Sequence, residues 1–273
     1  MDATALLSAL LMGVVEGLTE FLPISSTGHL ILLGELIGFQ GPPGKAFEIA
    51  IQLGAILAVI LVYWRDLIRI GTGMWRPKTL ERYTAESLFL AFLPALVIGA
   101  LLHGPVTDLL FNPWVVAVAL VLGGIVIILV ETRRGPPHIH SVPEIGPVAA
   151  LLIGLGQVVA MVPGTSRSGA TIVAALLLGV ERRVAAEFSF LLAIPTMFAA
   201  TVYSLWKARH GLDMSGLGQI AVGFVAAFAV ALVVVRTVLA SISRIGFVPF
   251  GWYRIVLGLV ILAWLGLSGL GRG

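Results

Sequence analysis

Six stretches of this chain, near 46–64, 85–103, 114–130, 184–206, 216–235 and 250–270, are apolar and long enough to cross a bilayer. A hydrocarbon core about 30 Å thick takes roughly 20 helical residues. Backbone polar groups at that depth must be satisfied within the segment, which an α-helix achieves. With 59% hydrophobic and 11% charged residues and a mean hydropathy of +1.05, the 273-residue chain carries far less charge than a soluble domain. The expected fold class is an all-α polytopic membrane protein. The net charge of +3 and pI near 9.6 are accounted for by basic loops, so nucleic acid is not an expected partner. The absence of cysteine removes disulfides, thiol catalysis and cysteine metal sites. The first apolar run, 3–15, lacks a basic leader and a small-residue cleavage site and reads as mature structure.

Four further apolar stretches, 5–21, 26–38, 147–161 and 168–179, are too short to span and come in pairs. Each pair is interrupted by a proline and a run of hydroxyls: L-P-I-S-S-T-G-H in the first, V-P-G-T-S-R-S-G in the second. Each pair is expected to form a re-entrant hairpin whose tip meets protein or substrate, because non-helical backbone at membrane depth cannot face lipid. A span with an early glutamate (Glu48, Glu187) follows each hairpin, then an apolar span, then one opened by an aromatic-flanked proline (111–114, 247–250). The expectation is therefore one integral membrane domain, 1–273, holding repeat one (1–135) and repeat two (145–273). Three spans per repeat force the second copy to insert upside down, giving six transmembrane helices plus two re-entrant hairpins in an inverted-topology repeat.

Loop charge orients this plan. Arg65, Arg69, Arg76, Lys78, Arg82, Arg133, Arg134, Arg182, Arg183, Arg236 and Arg244 fall on one side, eleven in all, against Lys45, Lys207, Arg209 and Arg272 on the other. The basic side is cytoplasmic by the positive-inside rule, which puts both termini outside and opens the first hairpin to the outer face.

The hairpins also concentrate the reactive groups. Glu16 and Glu20 share a helix face. Two carboxylates buried together call for a cation or a shared proton, so the pair is a candidate cation site. Ser25, Ser26 and Thr27 open a helix, where one hydroxyl caps and the others, with free N–H groups, can cradle a phosphate. His29, one turn past Ser26, is expected within reach of its hydroxyl as acid–base partner. In the second tip Gly164, Thr165, Ser166, Arg167 and Ser168 repeat the pattern. An arginine at membrane depth needs an anion, and its planar fork suits phosphate, or in the empty protein Glu16 or Glu20. Arg254 is expected to pair with Glu48 or Glu187, whose place near helix N-termini reads as structural, although Glu48 and Gln52 could reach the cavity. His138 and His140 alone do not make a metal site, and Gly154-Leu155-Gly156 lacks the third glycine of a dinucleotide fingerprint.

These residues carry a resemblance. The blocks E-G-L-T-E-F-L-P-I-S-S-T-G-H (16–29), A-F-E-I-A-I-Q-L-G-A-I-L-A-V (46–59), P-G-T-S-R-S-G-A-T (163–171) and E-F-S-F-L-L-A-I-P (187–195) resemble, in order, those of the undecaprenyl-diphosphate phosphatases, once called bacitracin resistance proteins. The resemblance implies hydrolysis of a C55 polyprenyl diphosphate to monophosphate and inorganic phosphate in the bacterial inner membrane. It further implies recycling of the carrier lipid for cell-wall synthesis, bacitracin resistance and dependence on a divalent cation, Mg²⁺ or Ca²⁺, for which Glu16 and Glu20 are the expected ligands. It assigns catalytic roles to Glu16, Glu20, Ser26, His29 and Arg167. Membrane lipid is the other expected partner, and a homodimer is left open. The residues read without the resemblance indicate an intramembrane site for a phosphorylated amphiphile, for which a lipid or anion transporter of inverted-repeat type is the alternative.

Overall fold

Helix starts in this chain coincide with the residues that favour them. Asn112 caps one helix through a 3.0 Å bond from the Val115 N–H, with Pro113 in its first turn, and Pro147 opens another. The computed structural model describes residues 3–39, 41, 46–110, 112–208 and 216–268. Eleven α-helices are found among them: α1 (Ala3–Thr19), α2 (Ser26–Ile37), α3 (Ala46–Val62), α4 (Trp64–Gly73), α5 (Leu80–Leu110), α6 (Pro113–Arg133), α7 (Pro147–Val158), α8 (Arg167–Leu177), α9 (Arg182–Ala208), α10 (Leu217–Ile245) and α11 (Val248–Ser268). Lys45, Phe111, Arg209 and Arg272, used above, lie outside the described residues, as does the end of the stretch 250–270.

Five of these helices, α5, α6, α9, α10 and α11, are long and apolar enough to span a membrane. The protein is therefore an all-helical, multi-pass membrane protein. The stretch 46–64 behaves differently from a simple span. It ends at Tyr63, where the axis bends by 73° into α4, and only the bent pair together would supply a sixth span. Helical spacing accounts for α4. Leu67 and Ile70 are half-buried, Trp64 and Ile68 are exposed, and Arg65 and Arg69 occupy the polar side, an amphipathic pattern. The short helices α1, α2, α7 and α8 are the four interrupted stretches, and α7 runs on through a 3-10 turn (Val159–Met161).

The packing crosses between the two halves of the chain. Helix α1 lies against α10 and α7 against α5, while α6 pairs with α11 and α3 with α10. Glycines permit the first two crossings. A Cβ on Gly13 would run into the Gly223 backbone, one on Gly17 into that of Ala227, and one on Gly154 into that of Ala91. Close backbone approach through small residues is how helices associate where lipid removes the hydrophobic drive between them. The main core gathers Phe21, Ile153, Phe188, Phe190, Val235 and Phe247. Outside the spans, His138 meets the α8–α9 turn through its N–H on the Gly179 carbonyl. Bonds from the His140 N–H and the Ser141 hydroxyl hold the Glu144 carboxyl below the usual carboxylate range.

Gly13→Val should lower the melting temperature in detergent by several degrees, because the α1–α10 crossing has no space for a side chain. Gly99→Ala, where nothing lies within 4 Å of the added carbon, should leave it level or slightly raised, alanine being favoured over glycine by about 1 kcal/mol in helices. Equal melting behaviour of the two variants would count against so close a crossing.

Candidate active site

Both interrupted hairpins restart their helices in the same way. Ser25 caps α2 with φ 72° and ψ 93°, its hydroxyl accepting the Gly28 N–H at 3.4 Å. Ser166 caps α8 with φ 73° and ψ 120°, accepting the Gly169 N–H at 3.1 Å. Positive φ at a non-glycine residue is held only where the surroundings enforce it, and functional sites are where such strain collects. Matching the caps matches the residues that follow, so Ser26 stands in the first hairpin where Arg167 stands in the second.

These two residues converge on one carboxylate. The Ser26 hydroxyl donates to Glu20 Oε2 at 2.5 Å, and Arg167 Nη2 lies 3.2 Å from Glu20 Oε1. Arg167 also donates from Nη1 to the Ser189 carbonyl at 2.9 Å and sits over the Phe21 ring, 5.7 Å from its centroid. Its Nε is buried with no hydrogen-bond partner among the described residues. Glu16 is buried one turn below Glu20, within electrostatic reach of Glu20 and Arg167. The site thus holds carboxylates, a hydroxyl and a guanidinium whose Nε has no partner among the described residues.

A second guanidinium holds the two tips together. Arg254, 0% exposed, donates from Nη1 to the carbonyls of Pro23 (3.0 Å) and Thr165 (2.8 Å). Its Nη2 donates to Ala119 (3.1 Å) and Gly164 (2.9 Å), and its Nε to Leu120 (3.4 Å). The expected pairing with Glu48 or Glu187 is therefore corrected. Broken helices leave carbonyls without partners in a dry interior, and a planar five-donor fork satisfies them where a carboxylate could not. Ser168 adds a further tie, its hydroxyl donating to the Leu22 carbonyl at 2.9 Å.

Most of the residues singled out in the sequence meet here, with some changes of part. Ser25, Ser166 and Ser168 spend their hydroxyls on caps and on the tie between tips, while Gly164 and Thr165 contribute carbonyls to Arg254. Thr27 is half-exposed beside Ser26. His29 turns away from the Ser26 hydroxyl. Its Nδ1 lies 2.7 Å from the Ser25 carbonyl and its Nε2 lies 2.7 Å from the Tyr253 hydroxyl. Glu20, not His29, is the group hydrogen-bonded to Ser26, because the helical path that starts at Ser26 points the imidazole back toward its own cap. Tyr253, Ser189 and the anchoring part of Arg254 were not found from sequence. The repeated Ser-x-x-Gly register (25–28, 166–169) was the available signal that pairs Ser26 with Arg167. A separate cavity of about 390 Å³ opens among Asp66, Arg69, Glu81, His140, Glu181 and Glu187, and Glu20, Ser26 and Arg167 do not line it.

Fold and site together define a multi-pass helical membrane protein with a buried carboxylate–serine–arginine centre built from two broken-helix tips. A family profile described as "Bacitracin resistance protein BacA" matches residues 9–260. Among similar proteins is an "Undecaprenyl-diphosphatase 2" of Paramagnetospirillum magneticum, 53% identical over 93% of this chain and 96% of its own length. An "Undecaprenyl-diphosphatase" of Aromatoleum aromaticum is 50% identical over 96% of each chain, and one of Neisseria gonorrhoeae is 49% identical over 98% of each. This chain belongs to the BacA family.

Arg254→Lys keeps the charge but cannot reach five carbonyls. Bonds from charged donors contribute on the order of 2 kcal/mol each, so this variant should melt several degrees lower and lose activity in proportion. Loss of activity at an unchanged melting temperature would instead mean that Arg254 acts on substrate.

Proposed function

We propose that this protein hydrolyses undecaprenyl diphosphate to undecaprenyl monophosphate and inorganic phosphate, and so recycles the lipid carrier used in cell-wall synthesis. The observation that carries the reading is the convergence of Ser26 and Arg167 on Glu20, in a chain of the BacA family. A transporter is the weaker reading, because carrying a lipid or anion requires no hydroxyl hydrogen-bonded to a carboxylate.

The chemistry follows from the contacts. An incoming diphosphate competes with Glu20 for Arg167, whose unpartnered Nε is already available to an anion, and thereby frees Glu20 to accept a proton. Ser26 Oγ attacks the terminal phosphorus while its proton passes to Glu20. The bond to the bridging oxygen breaks, and its electron pair leaves with the lipid monophosphate. Water then attacks the phosphoserine; Ser26 Oγ departs and recovers the proton from Glu20, and the water's proton leaves with inorganic phosphate. Arg167 and free N–H groups at the starts of α2 and α8 bind the phosphoryl oxygens, supplying the positioning and charge stabilisation that phosphoryl transfer needs.

A divalent cation, Mg²⁺ or Ca²⁺, belongs to this reading. No cluster of three or more acidic or histidine side chains among the described residues could hold an ion alone. Glu16 and Glu20 together with substrate phosphate oxygens fit the way Mg²⁺ is usually held, by one or two carboxylates plus phosphates. Bound there, the ion would offset diphosphate charge.

The finer architecture is part of the proposal. Six spans and two re-entrant hairpins in inverted repeats are supported by the exchanged packing of α1 on α10 and α7 on α5, and by the twin serine caps. Membership of the BacA family supports a bacterial inner-membrane location, and the eleven-to-four loop asymmetry supports a first hairpin that opens outward, where a diphosphate is left after its cargo is transferred. Oligomerisation as a homodimer is compatible with this arrangement.

Purified protein in detergent should release phosphate from the C55 diphosphate and stop when EDTA is added. Ser26→Ala should cut kcat by about a hundredfold or more. Absence of phosphate release by the unaltered protein with added Mg²⁺ or Ca²⁺ would overturn the activity. Near-normal turnover by Ser26→Ala would leave water as the nucleophile, and full activity in EDTA would remove the cation. For orientation, single cysteines at Gly41 and Arg76 in this cysteine-free chain should react with an impermeant thiol reagent on spheroplasts at Gly41 only. The reverse pattern would place the site on the cytoplasmic side.

A further inference from the structure

The buried Glu20–Ser26–Arg167 group accounts for the terminal phosphate of a diphosphate. The other phosphate, which carries the prenyl tail, must lie between that group and lipid. One polar pair spans this interval and has no part in the chemistry above. His29 Nδ1 faces the Ser25 carbonyl at 2.7 Å, and a carbonyl only accepts, so Nδ1 carries a hydrogen. Nε2 faces the Tyr253 hydroxyl at 2.7 Å, and the two rings lie parallel within 3° at a centroid distance of 5.6 Å.

The pair runs outward. Glu20 is 8% exposed and Arg254, next to Tyr253 in the chain, is 0% exposed, whereas Tyr253 itself is 45% exposed. Trp252 and Val256 beside it on α11 are more exposed still. Helix α2, which carries His29, buries only Gly28 among its residues, so packing around the pair is loose. The Tyr253 phenol, whose O–H donates to His29 Nε2, is a donor at the lipid-facing edge of a buried polar site, in the place where a tail-linked phosphate would sit. The charge of Arg254 reaches His29 and adds to the attraction for an anion.

We infer that Tyr253, positioned by His29, forms the subsite for the tail-linked phosphate and is a substrate-binding residue of this enzyme. The inference rests on the proposed function. The two groups satisfy each other in the structure. When the bond from the terminal phosphorus to the bridging oxygen breaks, that oxygen keeps the electron pair and becomes a terminal oxygen of the lipid monophosphate. The Tyr253 O–H then donates to this phosphate, and His29 keeps its ring aligned through the Ser25 carbonyl.

Two product inhibitors separate the subsites. Inorganic phosphate fills the terminal one, and farnesyl monophosphate carries a tail-linked phosphate. With Tyr253→Phe in detergent, the inhibition constant for farnesyl monophosphate should rise about tenfold, the usual cost of a lost bond to a charged group. That for inorganic phosphate should stay within about twofold, since Arg167 is untouched. Tyr253→His keeps a donor and should recover most of the lost inhibition. Equal shifts for both inhibitors, or none for either, would overturn the inference. Failure of the proposed function would show itself separately, as an unaltered protein that releases no phosphate.

Discussion

The structure depends first on one buried guanidinium. Arg254 has five N–H donors, and all five are matched to backbone carbonyls: one from the first tip, two from the second and two from α6. A charge in a dry interior is costly unless hydrogen bonds replace its hydration, and an unpaired carbonyl at membrane depth is costly in its own right. Each solves the other's problem. Gly123 on α6 leaves the space, since a side chain there would occupy the position of the guanidinium. The two tips, far apart in sequence, are thereby held in one fixed relation, and the carboxylate–serine–arginine centre exists because of that relation.

With the tips fixed, the serine caps determine what they present. Both caps adopt the same left-handed conformation, and each is followed by a side chain that reaches Glu20 from its own half of the chain. The resulting centre pairs the Glu20 carboxylate with the Arg167 guanidinium, with the Glu16 carboxyl buried one turn away. The Arg167 Nε is buried there with no hydrogen-bond partner among the described residues. Neither half could build this centre alone, because the first lacks the arginine and the second has Met161 and Gln157 near the positions that correspond to Glu20 and Glu16.

The supporting helices follow the physics of lipid rather than of water. Apolar side chains outside gain nothing by association, so the contacts that matter are backbone-close crossings at Gly13, Gly17, Gly154 and Gly223. These crossings exchange partners between halves, which places each broken hairpin against a long helix of the other.

Much of this was legible in the chain. Uniform apolar stretches dictate helices because no other open structure satisfies backbone groups in lipid, and a proline followed by hydroxyls marks a break wherever it occurs. A carboxylate pair or an arginine inside such stretches signals a site, since burial without purpose is too costly to persist. Other features could not be read there. The amphipathic helix α4 beyond the bend at Tyr63 was read from the sequence as a basic loop, because hydropathy alone sees its charges and not their helical spacing. His29 and Ser26, three residues apart, suggested a catalytic pair, yet the cap turned one toward Tyr253 and the other toward Glu20. Arg254 was assigned a carboxylate because sequence shows charged side chains and hides unpaired carbonyls. Composition and periodicity determined the helices, the breaks and the kinds of group at the site. Only the tertiary structure decided which groups meet, because hydrogen bonds across more than a hundred residues depend on where the backbones cross.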